Sequence, residues 1–346
     1  MIHLQPALLS QLRQAVPSKA SVCVALQQAI ELEHATIPLY LYSLYSLDPE
    51  KNGAIVDIIQ SVVVEEMLHM TLVSNIINAL GSTPIIDKPG FIPTYPGPLP
   101  GGVESELTVH LAPFSMKQLE TFLAVEQPAD PLVFRSLAVG AAPQPVTIGE
   151  FYDEIGRQIV LLGDSAFTGP IGNQIGPNQM RYSVVVTDVK TAVAAIHTIV
   201  TQGEGTKTTP EELEGSGYAH YYRFMEIKKG RRLVKQPGAL PPTQQYTYSR
   251  APIPFDTTGV YAAPTDPKSS SYPAGSAQAF ACNTFNYTYT ALLRSLERML
   301  TGKPSDLGTA IGLMMSLKGQ AKDMMSGIPN PATITGPSFE YQPINP

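Results

Sequence analysis

Glu66 and His69 stand three residues apart in the segment AIVDIIQSVVVEEMLHMTLVSNIINAL, inside a run of apolar residues with helical spacing. The stripe reads Ile55, Ile59, Val62, then Glu66 and His69, then Val73, Ile76 and Leu80, in steps of three and four. Both polar side chains therefore point into a core. A buried carboxylate and imidazole are costly unless they are paired, hydrogen-bonded or bound to metal. Glu-x-x-His facing inward from a bundle helix is the arrangement that holds two iron or two manganese ions between helices.

The helix before it supplies a second candidate. In SVCVALQQAIELEHATIPLYLYSLYS the stripe runs through Val22, Leu26, Ala29, Ile30, Glu33, Ile37, Tyr40 and Leu44, so Glu33 occupies a core step. His34, one residue or about 100° further round, reads as flanking. Glu31 and Glu65 fall off the stripes and suit solvation or hydrogen bonding outside the site. Pro38 removes one helical hydrogen bond and predicts a kink past Glu33. Tyr40, on the face of Glu33, is a candidate catalytic residue as a radical or hydrogen-bonding group; its ordinary alternative is core packing.

At 346 residues the chain can bury a large core, and its net charge of −6 argues against a nucleic-acid surface. The one basic cluster, Lys228 to Arg232, suits a solvated helix end. Two cysteines, Cys23 and Cys282, make neither a disulfide scaffold nor a thiolate metal site. The N-terminus lacks the pattern of a secretory signal, and no segment has the roughly 18 to 20 uninterrupted apolar residues of a membrane span. The expected location is the cytoplasm.

The periodicity predicts helices over about 20–46 and 53–80, joined by the polar turn LDPEKNG. From about 82 to 146 the chain is rich in Pro and Gly and forms a long crossover, with a short strand expected in ELTVHLAP and a short helix in SMKQLETFLAVE. Helices follow over about 147–162, with Thr147 as N-cap, and about 188–202, with a stripe at Val189, Val193, Ile196 and Val200. GYAHYYRFMEIKKG reads as a further short helix. Residues 231 to 281 predict an irregular arm, and helices over about 283–301 and 305–326 close the chain.

A two-metal carboxylate site needs more ligands than Glu33, Glu66 and His69. The chain offers Glu150, Glu154, Glu204, His197 and His220. In an antiparallel pair, a ligand near the start of the third long helix should meet one near the end of the fourth, which favours Glu204 if that helix persists through Gly203. Glu150 lies opposite the centre of its helix's apolar face, so periodicity alone makes it a solvated or capping residue. His197 and His110 read as ordinary residues. Four Glu and two His would carry four negative charges, matching two divalent cations; without metal, like charges would keep some carboxylates protonated. Arg223 and Glu226 would either hold the His220 imidazole or pair at the surface.

The segments ELEHATIPLYLYSLYS, EEMLHMTLVSNIINALGSTP, FIPTYPGPLP, TIGEFYDEI, VTQGEGT, AHYYRF and FNYTYTALL, in this order from about 20 to 300, resemble the ferritin-like family that includes the violacein-pathway iminophenylpyruvate dimer synthases. The resemblance implies an all-α ferritin-like four-helix bundle with a di-iron-type centre. It supports Glu33, Glu66 and His69 and extends the metal set to Glu150, Glu204 and His220. The named enzymes are much longer than this chain, so their coupling activity need not carry over.

The expectation is a bundle over residues 1–230 with the crossover inserted at about 82–146, and an arm with extra C-terminal helices over 231–346 packing on the same domain. The expected cofactor is two iron ions, with manganese as the alternative, since both accept mixed oxygen and nitrogen ligands. The expected activity is oxidation of a small metabolite of secondary metabolism, aromatic by the resemblance, with dioxygen or peroxide. A mouth of tyrosines at 246, 248, 261, 272, 287 and 289 would suit an aromatic substrate; packing of the arm explains them equally. Two alternatives stay open: a peroxide-disproportionating or iron-handling protein with a site sealed by Tyr and Met, and a metal-free structural homologue. No nucleic-acid or membrane partner is expected, and a homo-oligomer remains open.

Overall fold

The computed structural model describes residue 12 and residues 18–100, 107–128, 148–206, 209–212, 217–238, 244–328 and 330–343. Its main elements are α1 (Lys19–Tyr45), α2 (Pro49–Ala79), α3 (Met116–Val125), α4 (Ile148–Leu162), α5 (Val189–Gly203), α6 (His220–Lys229), β1 (Arg231–Lys235), β2 (Tyr246–Pro252), α7 (Ala277–Leu300) and α8 (Leu307–Ser326). The fold is mostly α-helical, with one two-stranded antiparallel sheet among the described residues. No helix among the described residues is long and apolar enough to cross a membrane.

Local chemistry sets the helix ends. The Ser18 hydroxyl accepts from the Ser21 N–H at 3.0 Å and caps α1, while Asp48 caps α2 with Pro49 in its first turn. Asp188 and Thr191 exchange side-chain and backbone bonds as a capping box at the start of α5. α1 runs unbroken through Pro38, whose missing N–H leaves the His34 carbonyl without its helical donor.

α1 and α2 form the central pair. α4 packs against α1 and α5 against α2 to complete a four-helix bundle, while α8 packs on α1 and α7 on α2 from the other side. The central helices are therefore covered on two sides, and α1 is buried almost all round from Ala29 to Tyr40. His34, expected beside the core, is only 2% exposed for this reason.

Several expectations are corrected. The described residues 107–113 of ELTVHLAP form no strand, only a single bridge in which Val109 and Gly97 exchange backbone bonds of 2.8 and 3.1 Å. The arm is not wholly irregular: β1 and β2 pair, with Leu233 opposite Tyr248. Their lone buried aliphatic packs with Ala219, Tyr222 and Tyr246, too sparse a pattern to mark a strand. The core face of α5 is Ala192, Ala195, Ile196 and Ile199, rotated from the expected stripe, with Val193 38% exposed. Thr147 lies outside the described residues.

Asn75, two turns past His69 on α2, ties the α4–α5 connection to the bundle. Its amide donates to the Ile175 and Val184 carbonyls, both at 2.8 Å, and its oxygen accepts from the Ile175 N–H at 3.0 Å. Asn75→Leu strands these buried backbone groups, and should lower stability by about 2–4 kcal/mol in denaturant unfolding. A loss below about 1 kcal/mol would show that the connection is held by other contacts.

Candidate metal centre

Glu33 comes from the middle of α1, Glu66 and His69 from α2, Glu126 from the C-cap of α3, Glu204 from the C-cap of α5 and His220 from the first turn of α6. All six line one cavity of about 40 Å³. Glu33, Glu66, His69, Glu126 and His220 are each at most 8% exposed.

Two triads of potential ligand atoms lie here, Glu33/Glu66/His69 and Glu66/Glu126/His220, each with its atoms within 4.8 Å of one another. Glu66 belongs to both and divides its oxygens between them. Its Oε2 lies 3.7 Å from His69 Nδ1, and its Oε1 lies 2.9 Å from His220 Nδ1. His69 Nδ1 is also 3.3 Å from Glu33 Oε2, and His220 Nδ1 is 3.4 Å from Glu126 Oε2. The imidazole rings stack with centroids 5.4 Å apart.

The outer faces of both rings are held. His69 Nε2 lies 3.1 Å from Gln202 Oε1, and His220 Nε2 lies 3.0 Å from Glu65 Oε2. Gln202 and Glu65 are acceptors for these nitrogens, so they favour a proton on Nε2 and turn the Nδ1 lone pair inward, as metal-bound imidazoles require. Arg223 donates to Glu65, to the Ser61 hydroxyl at 2.9 Å and to Glu212 at 3.2 Å, which fixes Glu65 in place. Two tyrosines brace the carboxylates: Tyr152 donates to Glu33 Oε1 at 2.5 Å, and Tyr40 donates to Glu126 Oε1. Glu204 accepts from the Gly149 N–H at 2.8 Å, joining the end of α5 to the start of α4. A Cβ at residue 149 would lie 2.7 Å from Glu204 Oε2, so a side chain there would push this carboxylate aside.

The electrostatics are those of a cluster short of cations. Burial, reinforced by the charge of Glu126, pushes Glu66 up to about 7. Burial likewise raises Glu204 to about 7 against the pull of the Gly149 N–H. Burial would lower His69, but its bonds to Glu33 and Glu66 outweigh it and hold the imidazole at about 10. For His220 the charges of Glu126 and Glu66 overcome desolvation and raise it well above its ordinary value. Glu65 is held at about 2, because His220 and Arg223 overcome the effect of burial. His220 Nδ1, though within ion-pair distance of two carboxylates, has no hydrogen-bond partner. This orphaned nitrogen, the His69 Nδ1 and four carboxylates would fit two divalent cations in donor type and charge.

The structure brings together five of the six expected metal residues: Glu33, Glu66, His69, Glu204 and His220. It places Glu150 on the exposed side of α4 and outside the cavity wall, as its helical position implies. Glu154 is bonded to Arg157 and Gln158, and His197 is exposed on α5. His110 pairs with Asp266 at 2.5 Å. Glu226 anchors the hairpin through Arg232 and the Leu233 N–H, while Arg223 alone reaches the site through Glu65. Glu126 is not among the residues expected from the sequence, although Leu119 and Phe122 lead to it at helical spacing, the same signal that marks Glu33. Gln202 had no comparable signal.

Comparison with known proteins agrees with this architecture. The chain is 25% identical over 259 residues to the 2-imino-3-(indol-3-yl)propanoate dimerase of Chromobacterium violaceum; the match spans 61% of this chain and 23% of that protein. The crystal structure of a ferritin like protein from Caulobacter vibrioides is similar with a TM-score of 0.62 and 25% identity, covering 95% of this chain and all of that one. The family model described as Ferritin-like matches residues 26–229, more than half of the chain. The chain belongs to the Ferritin-like family.

Proposed function

We propose that this protein holds two metal ions, iron first and manganese as the alternative, and uses them as a redox centre toward dioxygen or peroxide. The observation that carries the reading is the division of the two Glu66 oxygens between two ligand triads. Glu33 and His69 would hold one ion, Glu126 and His220 the other, with Glu66 between them and Glu204 completing the charge balance. Bound iron would supply the electron transfer that no side chain here can provide. The chain's own residues then position and protect. Tyr152 and Tyr40 orient Glu33 and Glu126. Gln202 and Glu65 hold the imidazole tautomers. Leu32, Val125, Ile148 and Ile199 in the cavity wall limit access of water.

Two uses of such a centre are distinguishable. Oxidation of a small imino or aromatic metabolite is supported by the name of the Chromobacterium relative. Peroxide disproportionation or iron handling is supported by the cavity itself, whose volume of about 40 Å³ suits ions and a diatomic oxidant rather than an indole ring. Peroxide consumption by the loaded protein without an organic substrate would select the second use, and substrate-dependent oxidant consumption the first.

Metal analysis of protein purified from iron-fed and manganese-fed cells, with an ultraviolet-visible spectrum, tests the centre. The expected result is close to two ions per chain for the wild type and a loss of both in Glu66→Ala, since that residue serves both triads. Full occupancy in Glu66→Ala would contradict the shared-ligand reading.

Metal uptake must displace protons from His69 and His220 and from carboxylates that titrate near 7, so affinity should rise with pH. The sign follows because the metal-free imidazoles are protonated and the ligands must not be. Each proton displaced contributes about tenfold in affinity per pH unit. Competition with a colorimetric chelator between pH 6 and 8 should show at least that slope, and a flat profile would contradict it.

A further inference from the structure

The other face of the central helices carries a larger cavity, of about 210 Å³, lined by α1, α2, α7 and α8 and open at one side. It shares no lining residue with the carboxylate site: Leu32, Glu33, Thr36, Glu66 and His69 face one side, and His34, Ile37, Met67, Met70 and Thr71 the other. Six of the chain's eleven methionines line it, namely Met67, Met70, Met180, Met299, Met314 and Met315. Unbranched thioether side chains adapt to the shape of an apolar guest. A well-packed core would not leave so large a void, since an apolar cavity of about 150 Å³ already accepts benzene.

Polar groups occur at its two extremes. At the inner end, His34 is 2% exposed, with Nε2 lying 2.7 Å from the Tyr289 hydroxyl and Nδ1 without a partner. At the rim, the exposed Lys318 donates to Gln60 Oε1 at 3.2 Å and pairs with no carboxylate among the described residues. Among the described residues of the wall, Lys318 is the only Lys or Arg, so a carboxylate would find its ion-pair partner at the rim and not beside the buried His34. An anionic head belongs at the rim, where the ammonium is.

We propose that this cavity binds a medium-chain carboxylate, with its hydrocarbon tail among the methionines and leucines between α1, α2, α7 and α8 and its head at Lys318. A void of this size takes a chain of roughly eight carbons or a single ring with a short side chain. Val64 and Met315, 55% and 64% exposed, surround the entrance. The site is independent of the metal reading, because its ligand touches none of the six clustered residues.

Titration calorimetry of the full chain with octanoate and with octanol tests it. Octanoate should bind more tightly than octanol, and Lys318→Ala should weaken octanoate about fivefold while leaving octanol unchanged. Lys318 is exposed, so this variant keeps its fold. Met314→Trp, at a half-buried position, should fill the cavity and weaken both ligands at least about tenfold, with the helical circular dichroism retained. Equal binding of the two probes, or no effect of Lys318→Ala, would overturn the head position. Absence of octanoate binding would overturn the site, and a dimer that Met315→Glu dissociates would show that a second copy of the chain covers this face instead.

Discussion

The structure depends on the burial of acid in the middle of a bundle. Glu33, Glu66 and Glu126 meet His69 and His220 in a space nearly closed to water, with Glu204 at its edge. Such a group of charges is unfavourable unless each is met by an opposite charge or a donor. The fold supplies partial answers on every side: tyrosine hydroxyls for Glu33 and Glu126, a backbone N–H for Glu204, and the paired imidazoles for Glu66. Glu66 and Glu204 still titrate near 7, and one nitrogen of His220 remains without a hydrogen bond. The remaining imbalance is what a pair of cations would remove.

Which of these residues the sequence marks follows from where each one sits. Glu33, Glu66 and His69 project from long regular helices, where period alone fixes the inward face, and all three are in the cluster. Glu204 sits where α5 stops, so its place depended on the antiparallel meeting with the start of α4. Glu150 is favoured by resemblance against its own helical position, and it lies exposed on α4, outside the cavity wall. Glu126 ends a ten-residue helix inside the crossover, and a helix that short is easily passed over as a connection. Gln202 and Glu65 act through imidazole nitrogens whose location only the assembled bundle sets.

The two central helices account for other differences between sequence and structure. A helix with one buried face shows a clear stripe, but α1 and α2 are covered by α4 and α5 on one side and by α7 and α8 on the other. Their second faces are therefore buried too, and His34, Met67 and Met70 line an interior of their own. Tyr289, one of the tyrosines considered for an aromatic mouth, lies in that interior against His34. The same pair of helices thus presents a charged, nearly filled site on one side and an apolar, roomier one on the other.

The proposed pair of cations would share Glu66. Anomalous diffraction from crystals grown anaerobically with manganous salt measures this directly, because each ion appears as a separate peak. Two peaks are expected, one on either side of the Glu66 carboxylate, the first beside His69 and Glu33 and the second beside His220 and Glu126. A single peak away from Glu66, or none in the bundle, would contradict it.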